Sequence, residues 1–376
     1  MIDVDAMRDF GGCIQRLIKG QSLSRAEAYL RMSEVLCEKQ PDLHQGAFLA
    51  ALAAKGETEE EIVGVWEAID RHDTVHVDME GPLLENCGTG MDAIKTFNVS
   101  SAAGIVVAAC GVKVARHGAR AITSSCGTVD VLEACGVDVD GTAVGVAASI
   151  ASCGIGLFNG MSAEIHKGGL ARILGMIRFG SVLNIAASLA SPVRASFGVR
   201  GVAALEQVPM TSRIMRAIGY QRGMVVHGTD RVSGRGMDEL SVCGPTYIMH
   251  FDETDCRSQI LAPADVGLRE YPVAAIQSLG CVEAEAQRFV SVISGGAQGE
   301  ACEDFTVLNA AAALMIAGQC EELREGIEYA RTVIRSGAAI QKMAQWVRRQ
   351  NRDPEAGSAR LSARLGCFSA IRHVRH

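Results

Sequence analysis

The chain's 376 residues are 48% hydrophobic with a mean hydropathy of +0.16, enough apolar surface for two domains or for one large and one small, which excludes extended disorder. A net charge of −7 and a pI of about 5.8 exclude a protein that coats nucleic acid, which needs a basic surface, but leave room for a local basic pocket. Thirteen cysteines without a Cys-x-x-Cys pair predict reduced thiols in a cytoplasmic protein, mostly acting as small apolar core residues.

The N-terminus carries Asp3, Asp5 and Asp9 and lacks the basic start and apolar stretch of a signal peptide. Residues 1–78 read as a small helical domain. Ser24 with Glu27, and Thr58 with Glu61, have the spacing of capping boxes, and Gly56 is a natural stop for the helix before the second. Beyond Thr58 the apolar residues Ile62, Val65, Trp66 and Ile69 recur at helical spacing. From residue 79 to 376 short apolar runs, glycine-rich turns and Ala/Val-rich stretches alternate, which predicts an α/β domain with a mostly parallel central sheet. The uncharged run from Thr142 to Ala163 is broken by glycines and serines and reads as a buried helix then a buried strand, not as a membrane span. The arginine-rich tail from Arg348 is expected to be partly mobile.

Three segments carry chemistry. Gly88-Thr89-Gly90-Met91-Asp92 is followed by Asn98, Ser100 and Ser101 at the start of a helix. Glycines let backbone approach an anion, and a helix N-terminus offers unpaired N–H groups, so this pair of features predicts a phosphate site. Arg116, His117 and Arg120 follow a short predicted strand, and guanidinium groups beside a phosphate loop suit a pyrophosphate. Ser124, Ser125, Gly127 and Thr128 precede Asp130 and again suit anion contact. Asp238 and Glu239 are adjacent carboxylates, suited to Mg²⁺, which takes few protein ligands and completes its shell with substrate phosphates and water. No nucleophile–base pair is evident.

In this order the segments resemble the anthranilate phosphoribosyltransferase family, and the similarity runs from about residue 10 to 345. Lys55 to Thr58 and Leu308 to Ala312 are similar to that family as well. The resemblance implies a small helical domain, with a helical contribution from about 165–190, beside a large domain of nucleoside-phosphorylase type. It implies phosphoribosyl pyrophosphate (PRPP) as donor, Mg²⁺ as cofactor, an aromatic acceptor (anthranilate or a related compound) and a homodimer. Residue by residue it implies that Gly88, Thr89, Gly90, Asp92, Asn98, Ser100, Ser101, Arg116 and Thr128 bind PRPP, and that Ser100, Asp238 and Glu239 hold the metal.

The sequence also departs from the family, most of all on the acceptor side. Met91 stands where the family has a glycine, Arg116 where it has lysine, and Ala119 where it has an acceptor-facing asparagine. The family's His-Pro segment becomes His166-Lys167-Gly168-Gly169, and its asparagine-led Gly-Pro-Leu stretch becomes Asn184 to Pro192. His117 and Ala119 are placed at the acceptor, Arg172 and Arg178 are both candidates for the acceptor-binding arginine, and Lys167 is a further possible partner for a carboxylate. Two other readings stand beside this one. A nucleoside phosphorylase would use inorganic phosphate at Gly127 to Asp130 without essential Mg²⁺, and a non-enzymatic relative would bind nucleic acid, against the net charge.

Overall fold

The computed structural model describes residues 4–120, 126–297 and 299–374. Helices α1 (Val4–Ile18), α2 (Arg25–Leu36), α3 (Asp42–Lys55) and α4 (Glu59–His72) open the chain. Both capping boxes form: Ser24 and Thr58 accept from the N–H three residues on, and Glu27 and Glu61 reach back. Helix α3 stops at Gly56, whose φ of 82° suits glycine. Glu61 does more than cap. It is fully buried, accepts from the Leu23 N–H at 2.8 Å, and pairs with Lys55 Nζ at 2.8 Å, so it fixes α4 against the turns before α2 and after α3.

The rest of the chain alternates strand and helix. In order come β1 (Leu84–Gly88), α5 (Val99–Ala109), β2 (Val114–Gly118), α6 (Thr128–Ala134), α7 (Ala143–Cys153), β3 (Ile155–Asn159), α8 (Leu170–Ile177), α9 (Leu183–Ala186), β4 (Phe197–Gly201), α10 (Gln207–Ala217), β5 (Arg222–Thr229), β6 (Gly236–Met237), β7 (Thr246–Phe251) and β8 (Cys256–Leu261). The strands lie in the order β3-β2-β1-β4-β5-β7-β8, with β6 beside β5. The first five are parallel, and the pairings β5–β6, β5–β7 and β7–β8 are antiparallel. This is the mostly parallel sheet the alternation predicts, with an antiparallel extension at one side. The uncharged run from Thr142 is α7 followed by β3.

Helices α11 (Val282–Ile293), α12 (Ala301–Ile316), α13 (Leu323–Arg335), α14 (Ala338–Arg349) and α15 (Pro354–Val374) follow. The large core joins α5, α6, the sheet and α11 to α14. A separate helical core joins α1 to α4 with Leu170 and Ile173 of α8, Leu183, Ile185 and Ala186 of α9, and residues of α10. Trp66 of α4 donates its indole N–H to the Leu189 carbonyl at 3.0 Å, tying the two segments. Residues 354–374 are helical, Leu361 is buried in the large core, and Gln287 donates to the Arg364 carbonyl at 3.0 Å; sparse apolar positions hid this helix because only one of its faces is covered. Among the described residues no helix is long and apolar enough to cross a membrane. The described cysteines are free thiols, and Cys37, Cys256 and Cys281 are exposed rather than in the core.

Candidate active site

The chain goes from β1 outward to β2 and β3, then returns to the other side of β1 as β4. At such a reversal the loops leaving the carboxyl ends of neighbouring strands part and leave a crevice. Here the loops after β1, β2 and β3 open into a cavity of about 530 Å³, and α8 and the α9 region face them from the helical core.

The loop after β1 is shaped around a carboxylate. Gly90 has φ 72°, and its N–H donates to Asp238 Oδ2 at 2.7 Å. A Cβ on Gly88 would stand 2.3 Å from the same oxygen, so only glycine fits there. Lys95, three residues past Asp92, donates to its Oδ1 and to the Gly90 carbonyl, both at 2.9 Å. Lys95 was missed in the sequence, where i,i+3 spacing from Asp92 was its one signal. Asn98 is the N-cap residue of α5, but its side chain makes no capping bond. Ser100 does not cap either; its Oγ donates to Glu239 at 2.7 Å and 3.0 Å. Thr89 Oγ1 and Ser101 Oγ are buried at the cavity with no partner among the described residues, which is a cost unless a ligand supplies one. Thr128, at the start of α6, also lines the cavity.

Three carboxylates thus converge. Burial, then the neighbouring Asp92, pushes the Asp238 carboxyl up to about 7, and burial followed by Asp238 drives Glu239 well above the carboxylate range. Asp92 is raised by burial against the opposing pull of Lys95. Such crowding fits a cation. Among the described residues no three His, Cys, Asp or Glu side chains form a self-sufficient metal cage. Two carboxylates and a hydroxyl instead suit a hard ion that shares its shell with substrate phosphates.

Arg116 is 1% exposed. It donates to the Asn86 carbonyl at 3.0 Å, to Asn86 Oδ1 at 2.8 Å and to the Ser100 carbonyl. It therefore braces β1 against α5 while lining the cavity, and its Nε has no partner among the described residues. Arg120 is held by Asp130 at 3.2 Å and Glu133 at 2.7 Å. The predicted contacts of Ser124 and Ser125 lie outside the described residues.

His117 and Ala119, expected at the acceptor, line the same cavity. His117 Nε2 is 3.2 Å from His166 Nε2, and His166 Nδ1 is 3.2 Å from Asp73 Oδ2, all three being buried. Burial, reinforced by His166, pushes His117 down to about 3, so its ring is neutral. This chain was not legible beforehand because Asp73 and His166 meet only through tertiary packing. The proposed arginines sit elsewhere. Neither Arg172 nor Arg178 lines the cavity. Arg172 points to the helical domain's surface, bonding Asp42 at 3.0 Å and Gln45 at 2.7 Å, while Arg178 ends α8 with φ 49° and donates to the Gly175 carbonyl at 3.3 Å. Lys167 is exposed and outside the cavity as well. The positions of α8 that do face it are Leu170, Leu174 and Ile177.

The model of the glycosyl transferase family helical bundle domain matches residues 12–72, and that of the glycosyl transferase family a/b domain matches residues 80–340. An anthranilate phosphoribosyltransferase from Methanothermobacter thermautotrophicus is 33% identical over 345 residues, covering 90% of this chain and 97% of that protein. The chain belongs to the anthranilate phosphoribosyltransferase family. The crystal structure of the Thermus thermophilus member superposes with a TM-score of 0.79 at 30% identity, covering 89% of this chain and 98% of that one. The Saccharomyces cerevisiae enzyme, solved in complex with PRPP and Mg, shares the fold with a TM-score of 0.80 at 22% identity over 95% of this chain and 99% of its own.

Proposed function

We propose that this chain transfers the phosphoribosyl group from PRPP to the nitrogen of an aromatic acceptor, anthranilate or a relative, and releases pyrophosphate. One observation carries the reading: a glycine loop bearing the Thr89 hydroxyl, the N-terminus of α5 bearing the Ser101 hydroxyl, both hydroxyls without a partner among the described residues, and two buried carboxylates share one crevice at the strand reversal. The family membership and the names of its relatives support it.

The Gly88–Asp92 loop, Thr89 Oγ1, Ser101 Oγ and the N–H groups of α5 hold the donor's phosphates. Ser100, Asp238 and Glu239 hold Mg²⁺, which when bound stabilises the charge of the departing pyrophosphate. The acceptor nitrogen's lone pair forms the bond to the anomeric carbon as the carbon–oxygen bond to pyrophosphate breaks and that oxygen keeps the electron pair; the nitrogen then releases its proton to water. An aromatic amine is neutral near pH 7, so no strong base is needed. His117, whose ring resists protonation, serves to pack and orient rather than to pull a proton. Arg116 keeps this part of the site in shape and adds a fixed positive charge to it.

Calorimetric titration of PRPP with and without Mg²⁺ tests this. Binding should be detectable and tightened at least about tenfold by the ion, equivalent to ~1.4 kcal/mol. No heat at millimolar PRPP in either condition overturns the donor reading. Binding of inorganic phosphate with no metal requirement would point to phosphorolysis instead.

A further inference from the structure

We infer that Asp73, the residue that closes α4, is a positioning residue for the acceptor: it acts through His166 on His117, and through Leu170 on the start of α8. The inference rests on the transferase reading above and deepens it at the acceptor side of the same cavity.

Asp73 belongs to the helical domain and does not itself line the cavity. Its side chain is fully buried, and its two oxygens face different groups. Oδ1 accepts from the N–H of Leu170, the first residue of α8, at 3.4 Å. Oδ2 lies 3.2 Å from His166 Nδ1 and has no other partner among the described residues. The backbone carbonyl of Asp73 accepts from the Lys167 N–H at 2.9 Å, and a Cβ on Gly168 would stand 2.2 Å from Oδ1, so only glycine leaves that oxygen its room. A carboxylate can only accept, and a buried one has to be satisfied, so His166 turns a hydrogen on Nδ1 toward Oδ2.

His166 and His117 do line the cavity. Their Nε2 atoms are 3.2 Å apart, a separation that needs one hydrogen between them. The Ser188 carbonyl meets the His117 ring as well, and a Cβ on Gly160 would stand 2.8 Å from its Nε2, so the ring is closely backed. Where Asp73 fixes the His166 hydrogen therefore decides how His166 can answer His117. Leu170 carries the same control to the opposite wall. With Leu174 and Ile177 it forms one stripe of α8, and that stripe faces the cavity. A flat acceptor held between the stripe and the His117 ring is thus aligned from both sides by one carboxylate. Among the described residues Asp73 makes no bond to the Gly88–Asp92 loop or to the start of α5, so the donor's phosphates lie outside its reach.

The test is Asp73→Asn, which keeps the side chain's shape and an oxygen for the Leu170 N–H but lets an amide N–H face His166. Nitrogen NMR of the full chain with isotope-labelled histidines, His166 being assigned by its loss in His166→Gln, reads the ring hydrogens. The parent should carry a hydrogen on His166 Nδ1, and the variant should move it to Nε2; a bare Nδ1 in the parent, or the same pattern in both, overturns the proposal. Steady-state turnover follows, with PRPP, Mg²⁺ and whichever of anthranilate and its ring-substituted relatives the parent uses fastest. The kcat/KM for the amine should fall at least about tenfold, while the KM for PRPP stays within about threefold. A smaller fall overturns the proposal, and so does a matching rise in the KM for PRPP, the mark of general loosening. If circular dichroism shows the asparagine variant unfolded, Asp73→Ser serves for the kinetics, and the parent's spectrum needs no variant. A parent that uses no amine removes the transferase reading and this proposal with it, and the nitrogen spectrum tells that failure from a failure of the link between Asp73 and His166.

Discussion

Replacing Asp238 with asparagine should make the metal-free protein more stable while disabling it. Asparagine keeps an oxygen for the Gly90 N–H, which Asp238 now satisfies at 2.7 Å, and removes one of three crowded charges. Lifting a carboxyl from 3.8 to about 7 corresponds to about 4 kcal/mol of unfavourable charge in the folded state, at about 1.4 kcal/mol per pH unit. The sign follows from linkage. Folded Asp238 holds its proton more tightly than the unfolded chain does. Its contribution therefore falls as pH rises from about 4 to about 7, and above that the whole penalty is present. Local relaxation absorbs part of it, so Asp238→Asn should gain about 1–3 kcal/mol at pH 8, and the gain should vanish toward pH 4. Urea denaturation across this range in the presence of a chelator measures the difference between variant and parent. Turnover with PRPP and Mg²⁺ should drop at least about tenfold, because a ligand of the cation is gone. A variant less stable than the parent at pH 8, or a gain independent of pH, would refute the claim that these carboxylates are held together against their own repulsion.

Gly88→Ala pushes a methyl group to within 2.3 Å of the Asp238 carboxylate, so the loop must shift. The variant should remain folded by circular dichroism and lose at least about tenfold in calorimetric affinity for PRPP with Mg²⁺; unchanged affinity would separate the loop from the donor site. Lys55→Met leaves Glu61, fully buried, without its cation, and should cost about 3–5 kcal/mol in denaturation experiments. A cost below about 1 kcal/mol would show that the Leu23 and Thr58 N–H groups alone keep that carboxylate satisfied.

What could be read in the sequence was what depends on neighbours along the chain. Ser24 and Glu27 find each other within one helical turn, and Gly88 and Gly90 announce a backbone that must come close to something. The pairing of Asp238 and Glu239 also survives translation into space, because one meets the loop after β1 and the other the start of α5. Roles that depend on direction did not survive so well. Arg116 does line the cavity, but three of its hydrogen bonds go to Asn86 and Ser100, while Arg172 lies on α8 on the side that meets Asp42. A turn of helix decides between Leu174 in the cavity and Arg172 at the surface, and the sequence around Gly168 and Gly169 gives no frame for that rotation. The Asp73–His166–His117 chain has no local signature at all.

The stripe of α8 has a broader consequence. Helix α8 is anchored through Ile173 in the helical core, while the phosphate loops are anchored in the sheet's core. The two walls of the cavity are thus upholstered from different frames. Exchanging Leu174 or Ile177 would alter what fits against the ring while the loop from Gly88 to Asp92 keeps its own anchor at Asp238. A catalyst so divided can be re-aimed at new nitrogen compounds by editing one short helix, with its sugar donor left as it is.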